Sequence, residues 1–177
     1  GVFESDELWL AHTLPQVQAD YVLLLNLFRD QLDRCGEIDR VQDAIATALE
    51  QSPNTTLLYN ADDPLCTIIA QRVSNKSVAF GVGEDMHQRQ NVVADAQMCQ
   101  RCSAMFTYGY RQYGQLGTYS CPNCGFGRPD LDFAAKSVVF GDEITFSVEE
   151  TATGKSVDLH AQRAGSYMVY NVMAAWL

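Results

Sequence analysis

Basic residues are scarce in this chain: 12 Lys and Arg stand against 22 Asp and Glu, a formal charge of −10. A general nucleic-acid-binding surface needs the opposite sign, so the composition speaks against that class. No apolar run reaches membrane-spanning length, and no basic-then-apolar signal segment opens the chain. There is no Gly-x-x-x-x-Gly-Lys-Ser/Thr loop to cradle a triphosphate and no Gly-x-Ser-x-Gly elbow to present a serine nucleophile. Histidine is limited to His12, His87 and His160, in contexts that suit surface or packing roles better than catalysis. Internal repeats and low-complexity tracts are absent. An initiator Met is also missing. Gly1-Val-Phe-Glu4 reads as a strand already under way, and Met173-Ala-Ala-Trp-Leu177 stops inside a helix-like pattern, so the expectation is a piece of a longer protein.

What is present fits a folded domain. With 177 residues, 47% apolar and 19% charged, the chain can bury one medium core and carry a small appendage. Four of its six cysteines form two pairs, Cys99-Gln-Arg-Cys102 and Cys121-Pro-Asn-Cys124-Gly125, with eighteen residues between them. Two thiolates three positions apart in a tight turn reach one metal from the same side, and a second such knuckle, delivered by a hairpin, completes a tetrahedron. Four thiolates leave no open coordination position, so the zinc expected here is structural. This cysteine usage suits a reducing compartment, and Cys35 and Cys66 read as packing residues or inert thiols.

The first half alternates strands and helices. Val2-Phe3 reads as a buried strand ending in Glu4, Asp6 and Glu7; Asp20 to Phe28 as a strand covered on both faces; Asp39 to Gln51 as a helix. Thr55 to Tyr59 and Lys76 to Val82 read as further strands, with a helix opened by Pro64 and running to Arg72 between them. That order implies βαβ units and a parallel sheet. After Pro129 come Ser137 to Phe140, Glu143 to Glu149 and Ser156 to Ala161, an expected antiparallel meander, then a helix from Gly165 to Leu177. The cysteine segment is an insertion between the parallel part and the meander.

Three strands in a row end in polar clusters: Glu4, Asp6 and Glu7; then Asn26, Arg29, Asp30 and Asp33; then Asp62 and Asp63. In open α/β sheets ligands bind beyond the carboxyl ends of strands, where carboxylates can hold Mg²⁺ for a nucleotide. A solvated acidic loop, or an N-cap aspartate before Pro64, is the competing reading. Phe106, Tyr108, Tyr110, Tyr113 and Tyr119, interleaved with Arg101 and Arg111, either form a nucleic-acid-binding face or cover a hairpin core. Residues 96–130 carry three Arg and one Asp, a formal +2. Zn²⁺ with four thiolates adds about −2, leaving the ribbon near neutral and disfavouring the first option.

These motifs together resemble the Mur ligase family. Asn26-Leu-Phe-Arg-Asp30-Gln-Leu-Asp33 is similar to its Asn-x-x-x-Asp-His-Leu-Asp segment, with Gln31 in place of His as in the MurT-type branch. Asn60-Ala-Asp62-Asp63-Pro64 resembles the family's Asn-x-Asp-Asp-Pro turn. Gly165 to Ala175 resembles its Gly-x-x-Asn-x-x-Asn-x-x-Ala-Ala helix, with Met168 in place of the first Asn. Cys124-Gly-Phe-x-Arg128-Pro129 is similar to the zinc-ribbon insertion of the MurT-type branch. The resemblance implies an α/β fold: a Mur-ligase-like central domain fragment at 1–95 and 131–177, with a mostly parallel sheet and C-terminal antiparallel strands. A four-cysteine zinc ribbon at 96–130 interrupts it. It implies an ATP-dependent carbon–nitrogen ligase that amidates the D-glutamate of lipid II through an acyl phosphate, with ammonia from a GatD-type glutaminase partner. A Mur ligase adding an amino acid is the alternative within the family; a zinc-ribbon module binding nucleic acid or protein is the alternative outside it. The implied ligands are Zn on Cys99, Cys102, Cys121 and Cys124, and Mg-ATP with Glu4 on the metal, Asn26 and Asp30 near it, and Asn171 against adenine. The implied setting is cytoplasmic, at the inner face of the membrane, which the chain meets only through its lipid-linked substrate. The family's phosphate-binding loop would precede Glu4 and its C-terminal domain would follow, so little ligase activity is expected of these residues alone.

Overall fold

Adjacent residues of β-strands point to opposite sides of a sheet, and in this protein that alternation feeds two separate cores. The computed structural model describes residues 1–27, 38–87, 96–162 and 165–177. Its elements in chain order are α1 (Leu10–Val17), β1 (Tyr21–Leu24), α2 (Ile38–Glu50), β2 (Thr56–Asn60), α3 (Pro64–Arg72) and β3 (Ser77–Val82). The hairpin β4 (Thr107–Tyr113) and β5 (Leu116–Ser120) follows, then β6 (Phe133–Phe140), β7 (Glu143–Glu150), β8 (Lys155–Gln162) and α4 (Tyr167–Trp176). Six strands make one sheet in the order β1-β2-β3-β6-β7-β8, and β4-β5 form a second. The pairings from β1 to β6 are parallel and the last two antiparallel. The meander therefore does not stand apart from the parallel strands. β6 pairs beside β3, with the cysteine hairpin as an excursion between neighbours.

Val41, Ile45, Ala48 and Leu49 line one face of α2 at helical spacing and pack with Leu14 of α1, Leu57 and Tyr59 of β2, and Leu65, Cys66 and Ile69 of α3. Ala79 and Ala134 reach this core, whereas the next residues, Phe80 and Ala135, reach the other one. There Ile144, Phe146 and Val148 of β7 meet Val169, Tyr170, Met173 and Ala174 of α4. Helices thus cover both faces of β3 and β6, the arrangement that parallel strands require.

Two expectations change, and one element is new. Val2-Phe3 is irregular and exposed, with Phe3 76% accessible, because no described strand lies alongside to complete its backbone ladder. β1 is an edge strand whose Tyr21 and Leu23 face outward; only Leu24 of its four residues is buried. Helix α1 occupies a stretch with no helical reading in the sequence and carries Pro15 in its interior, a residue that usually ends a helix. Its anchor is tertiary: Leu14 is buried in the first core.

Leu57→Ala, at a fully buried site, is expected to destabilise the protein by about 2–5 kcal/mol, whereas Leu23→Ala on the outer face of β1 costs under about 1 kcal/mol. Urea unfolding of the two variants beside the parent measures the contrast. Equal losses would contradict this burial pattern.

Candidate metal centre and strand-end network

The two cysteine pairs fold as near copies of one turn. In the first, the Ser103 amide donates to the Cys99 carbonyl at 2.8 Å and the Cys99 amide to the Ala104 carbonyl at 2.8 Å. In the second, the Gly125 amide donates to the Cys121 carbonyl at 3.1 Å and the Cys121 amide to the Phe126 carbonyl at 2.7 Å. Each turn closes on a left-handed residue directly after its second cysteine, Ser103 at φ 58° and Gly125 at φ 73°. A Cβ on Gly125 would touch nothing, so its requirement is conformational. Antiparallel bridges from Met98 to Met105 and from Ser120 to Gly127 close the flanks.

These turns bring four sulfurs together. The Sγ atoms of Cys99, Cys102, Cys121 and Cys124 all lie within 4.8 Å of one another; Cys99 to Cys124 is 3.6 Å and Cys102 to Cys121 is 3.4 Å. Tetrahedral zinc with Zn–S bonds of about 2.3 Å spaces its sulfurs by about 3.8 Å, so the donor set and its spacing fit that metal. Without a cation, Cys99 and Cys102 are shifted in opposite directions. Hydrogen bonds from the Asn123 side chain and the Ala104 backbone hold the Cys102 thiol down to about 6, while burial pushes Cys99 up to about 12. A divalent ion is what would let all four ionise together.

Behind the sulfurs lies a small aromatic core. Phe106, Tyr119 and Phe126 pack with centroids 5.3 to 6.0 Å apart, against Cys99 and Cys121. Arg111 stacks on Tyr108 at 4.0 Å and Arg101 on Phe126 at 4.9 Å. The interleaved aromatics and arginines therefore cover a hairpin core.

The hairpin also reaches over the carboxyl ends of the parallel strands. Gln115 Nε2 donates to the Leu27 carbonyl beyond β1 at 2.8 Å, and the Gly117 amide to the Asp62 carbonyl beyond β2 at 3.0 Å. The Tyr110 hydroxyl donates to the Val82 carbonyl at the end of β3 at 2.7 Å. At the centre is Asp62, fully buried. Its Oδ1 accepts from Arg128 Nη1 at 2.7 Å, and its Oδ2 from the Val82 amide at 3.0 Å and the Tyr170 hydroxyl at 2.8 Å. Burial pushes its carboxyl above the ordinary range, against the pull of the Arg128 charge and these donors. A Cβ on Gly81 would come within 2.5 Å of Asp62 Oδ1, which explains a glycine inside β3.

Asp63 is spent in a similar way. Its Oδ1 caps α3 through the Leu65 amide at 2.9 Å, and its Oδ2 accepts from the Leu27 amide at 2.8 Å. Burial raises its carboxyl to about 6. The expectation that the Asp62-Asp63 pair faces a ligand is thereby corrected: both carboxylates are closed off beneath the hairpin.

The other sequence candidates lie apart. Glu4 is exposed in the irregular N-terminal segment, Asn26 is half-buried just beyond β1, and Asn171 is exposed on α4, its amide 3.9 Å from Met168 Sδ. No described hydrogen bond joins them, and Asp30 and Cys35 lie outside the described residues. His12, His87 and His160 are exposed, and Cys66 is buried in the first core. The residues that sequence reasoning did not single out for a role are Arg128 and Tyr170, although each sits inside a quoted motif, the Cys-Gly-Phe-x-Arg-Pro run and the final helix.

Cys99→Ser or Cys124→Ser is expected to release zinc and lower the melting temperature; retained metal by elemental analysis with an unchanged melting curve would contradict the site. For Asp63, a folded value near 6 against 3.8 unfolded means its contribution to stability is complete below about pH 4 and is lost as pH rises through 6. Between pH 4 and 7, therefore, Asp63→Asn gains stability relative to the parent by on the order of 2 kcal/mol. Parallel denaturant titrations across pH measure this, and a constant difference would refute it.

No family model matches the chain. Among curated proteins, it is 30% identical over 179 residues to the MurT subunit of lipid II isoglutaminyl synthase (glutamine-hydrolyzing) of Streptococcus pneumoniae. It is 29% identical over 177 residues to the corresponding Staphylococcus aureus subunit. Each alignment takes in 99% of this chain and 38% of the relative, so the chain spans well under half the length of the proteins it matches. The family resemblance read from the motifs is thus borne out: across almost its whole length the chain is similar to curated MurT subunits.

Proposed function

We propose that this chain forms the nucleotide-handling part of an ATP-dependent carbon–nitrogen ligase that converts the α-carboxylate of D-glutamate in lipid II to a carboxamide. The observation that carries the reading is the match along 99% of the chain to subunits named for that synthase. In the proposed reaction the carboxylate takes the γ-phosphoryl group of ATP and ADP leaves. Ammonia then attacks the acyl carbon, expelling phosphate and leaving D-isoglutamine. The words "glutamine-hydrolyzing" in the relatives' names support glutamine as the ammonia source, delivered by a GatD-type partner subunit. In this reading the enzyme meets its lipid-linked substrate at the inner face of the membrane; among the described residues no helix is long and apolar enough to cross one.

In this reading the zinc is structural and residues 96–130 form the ribbon inserted into the ligase domain. Mg²⁺ would be held by Glu4, with Asn26 and Asp30 close to it. Carboxylate and amide oxygens are the hard donors that this ion takes. Asn171 would meet the adenine, and its exposure on α4 makes the side chain accessible for that contact.

The test uses the full-length protein with its glutaminase partner, lipid II, glutamine and Mg-ATP. The expected outcome is one ADP released per carboxyl converted to carboxamide, read by mass spectrometry. Incorporation of an added amino acid would instead select the amino-acid-adding alternative, and ADP release indifferent to lipid II would overturn the proposal. Asn171→Ala is expected to raise the KM for ATP about tenfold, the effect of one lost hydrogen bond, with the melting temperature unchanged.

A further inference from the structure

Arg128 stands where the metal-held ribbon, the parallel strands and the final helix converge. Its backbone position is set by the second knuckle. Only three residues separate it from Cys124, the intervening Gly127 bridges Ser120, and the Arg128 amide donates to the Tyr119 carbonyl at 3.0 Å. Its side chain is 15% exposed, and Nη1 contacts Asp62 Oδ1 at 2.7 Å, the Val82 carbonyl at 2.9 Å and the Tyr110 hydroxyl at 3.3 Å. On the far side of the same carboxylate is the hydroxyl of Tyr170, the buried neighbour of Asn171. Among the described side-chain hydrogen bonds, this one ties α4 to the rest of the protein.

We infer that Arg128 is a positioning residue that transmits the metal-held shape of the ribbon, through Asp62 and Tyr170, to helix α4. With the four thiols clamped, the guanidinium lies against Asp62 and balances the charge of this fully buried carboxylate. The ionised carboxylate can then accept from Val82 and Tyr170 together. Without that cation the carboxylate must take up a proton or move toward solvent. A protonated Asp62 turns one acceptor oxygen into a donor, and a displaced one withdraws from Tyr170. Either way the polar anchor of α4 is weakened, because a neutral or withdrawn carboxyl is a poorer acceptor for the Tyr170 hydroxyl, although Val169 and Met173 still pack on the sheet. The consequence for nucleotide binding rests on the proposed role of Asn171; the coupling between metal and helix does not.

Hydrogen exchange read by mass spectrometry on the whole protein, with and without a zinc chelator, tests the inference. In the parent, chelation is expected to speed exchange across residues 167–176 about tenfold, as well as across the cysteine turns. In Arg128→Met the zinc stoichiometry stays at the parent value, the helix already exchanges fast, and chelation adds nothing further. Arg128→Lys, which keeps the charge, is expected to restore part of the protection. If Arg128→Met does not fold, the Arg128→Met/Asp62→Asn pair, which buries no lone charge, takes its place with the same expectation. A helix indifferent to chelation in the parent, or still responsive to it in the Arg128 variant, would overturn the inference. Measured alongside, the KM for ATP is expected to rise in Arg128→Met. A loosened helix with an unchanged KM would count against the nucleotide role of Asn171 while leaving the coupling in place.

Discussion

A carboxylate removed from water needs a counter-charge and donors for its lone pairs, and Asp62 imposes that constraint on most of its surroundings. One oxygen requires an arginine, which comes from the irregular segment leaving the second cysteine turn. The other requires two donors, which come from the end of β3 and from the last helix. Satisfying it brings three regions to one point, and the room they share is small enough to demand glycine at position 81. Removing either charge alone would leave the other stranded in a buried site.

The ribbon has the complementary problem. Its own core is three aromatic rings and two sulfurs, too little apolar surface to hold a hairpin and two tight turns by burial alone. Metal binding by the four thiolates would supply the remainder, since the binding free energy of a structural zinc is also folding free energy. The hairpin so stabilised lies across the strand ends, where its side chains and amides pair with carbonyls that would otherwise end at solvent. A segment that reads as an appendage is in this way part of the main body.

Much of the architecture was legible locally. The spacing of Val41, Ile45, Ala48 and Leu49, the Pro64 start of α3 and the apolar runs around Leu57 and Phe80 depend on neighbours within a few positions, which is where periodicity carries information. Elements that depend on distant partners were not. Helix α1 exists despite Pro15 because Leu14 reaches a core built by α2 and β2. Val2-Phe3 fails as a strand for lack of a described neighbour to pair with, and β1 is half-covered because it lies at an edge. The pairing of β6 with β3 spans an insertion of some fifty residues, and no feature of either strand announces it.

The four cysteines could be assigned from the sequence alone, because a Cys-x-x-Cys turn builds half of a tetrahedral site from four consecutive residues. The family motifs were equally visible, being short and ordered along the chain. The meaning of Asp62 and Asp63 was decided only in three dimensions. The same two carboxylates could serve a metal at an open strand end or become internal struts. Burial is what separates those outcomes, and here it comes from a hairpin that closes over them. The cation that compensates Asp62 is 66 positions away and the hydroxyl it accepts from is 108 away, distances over which residue spacing carries no trace of contact.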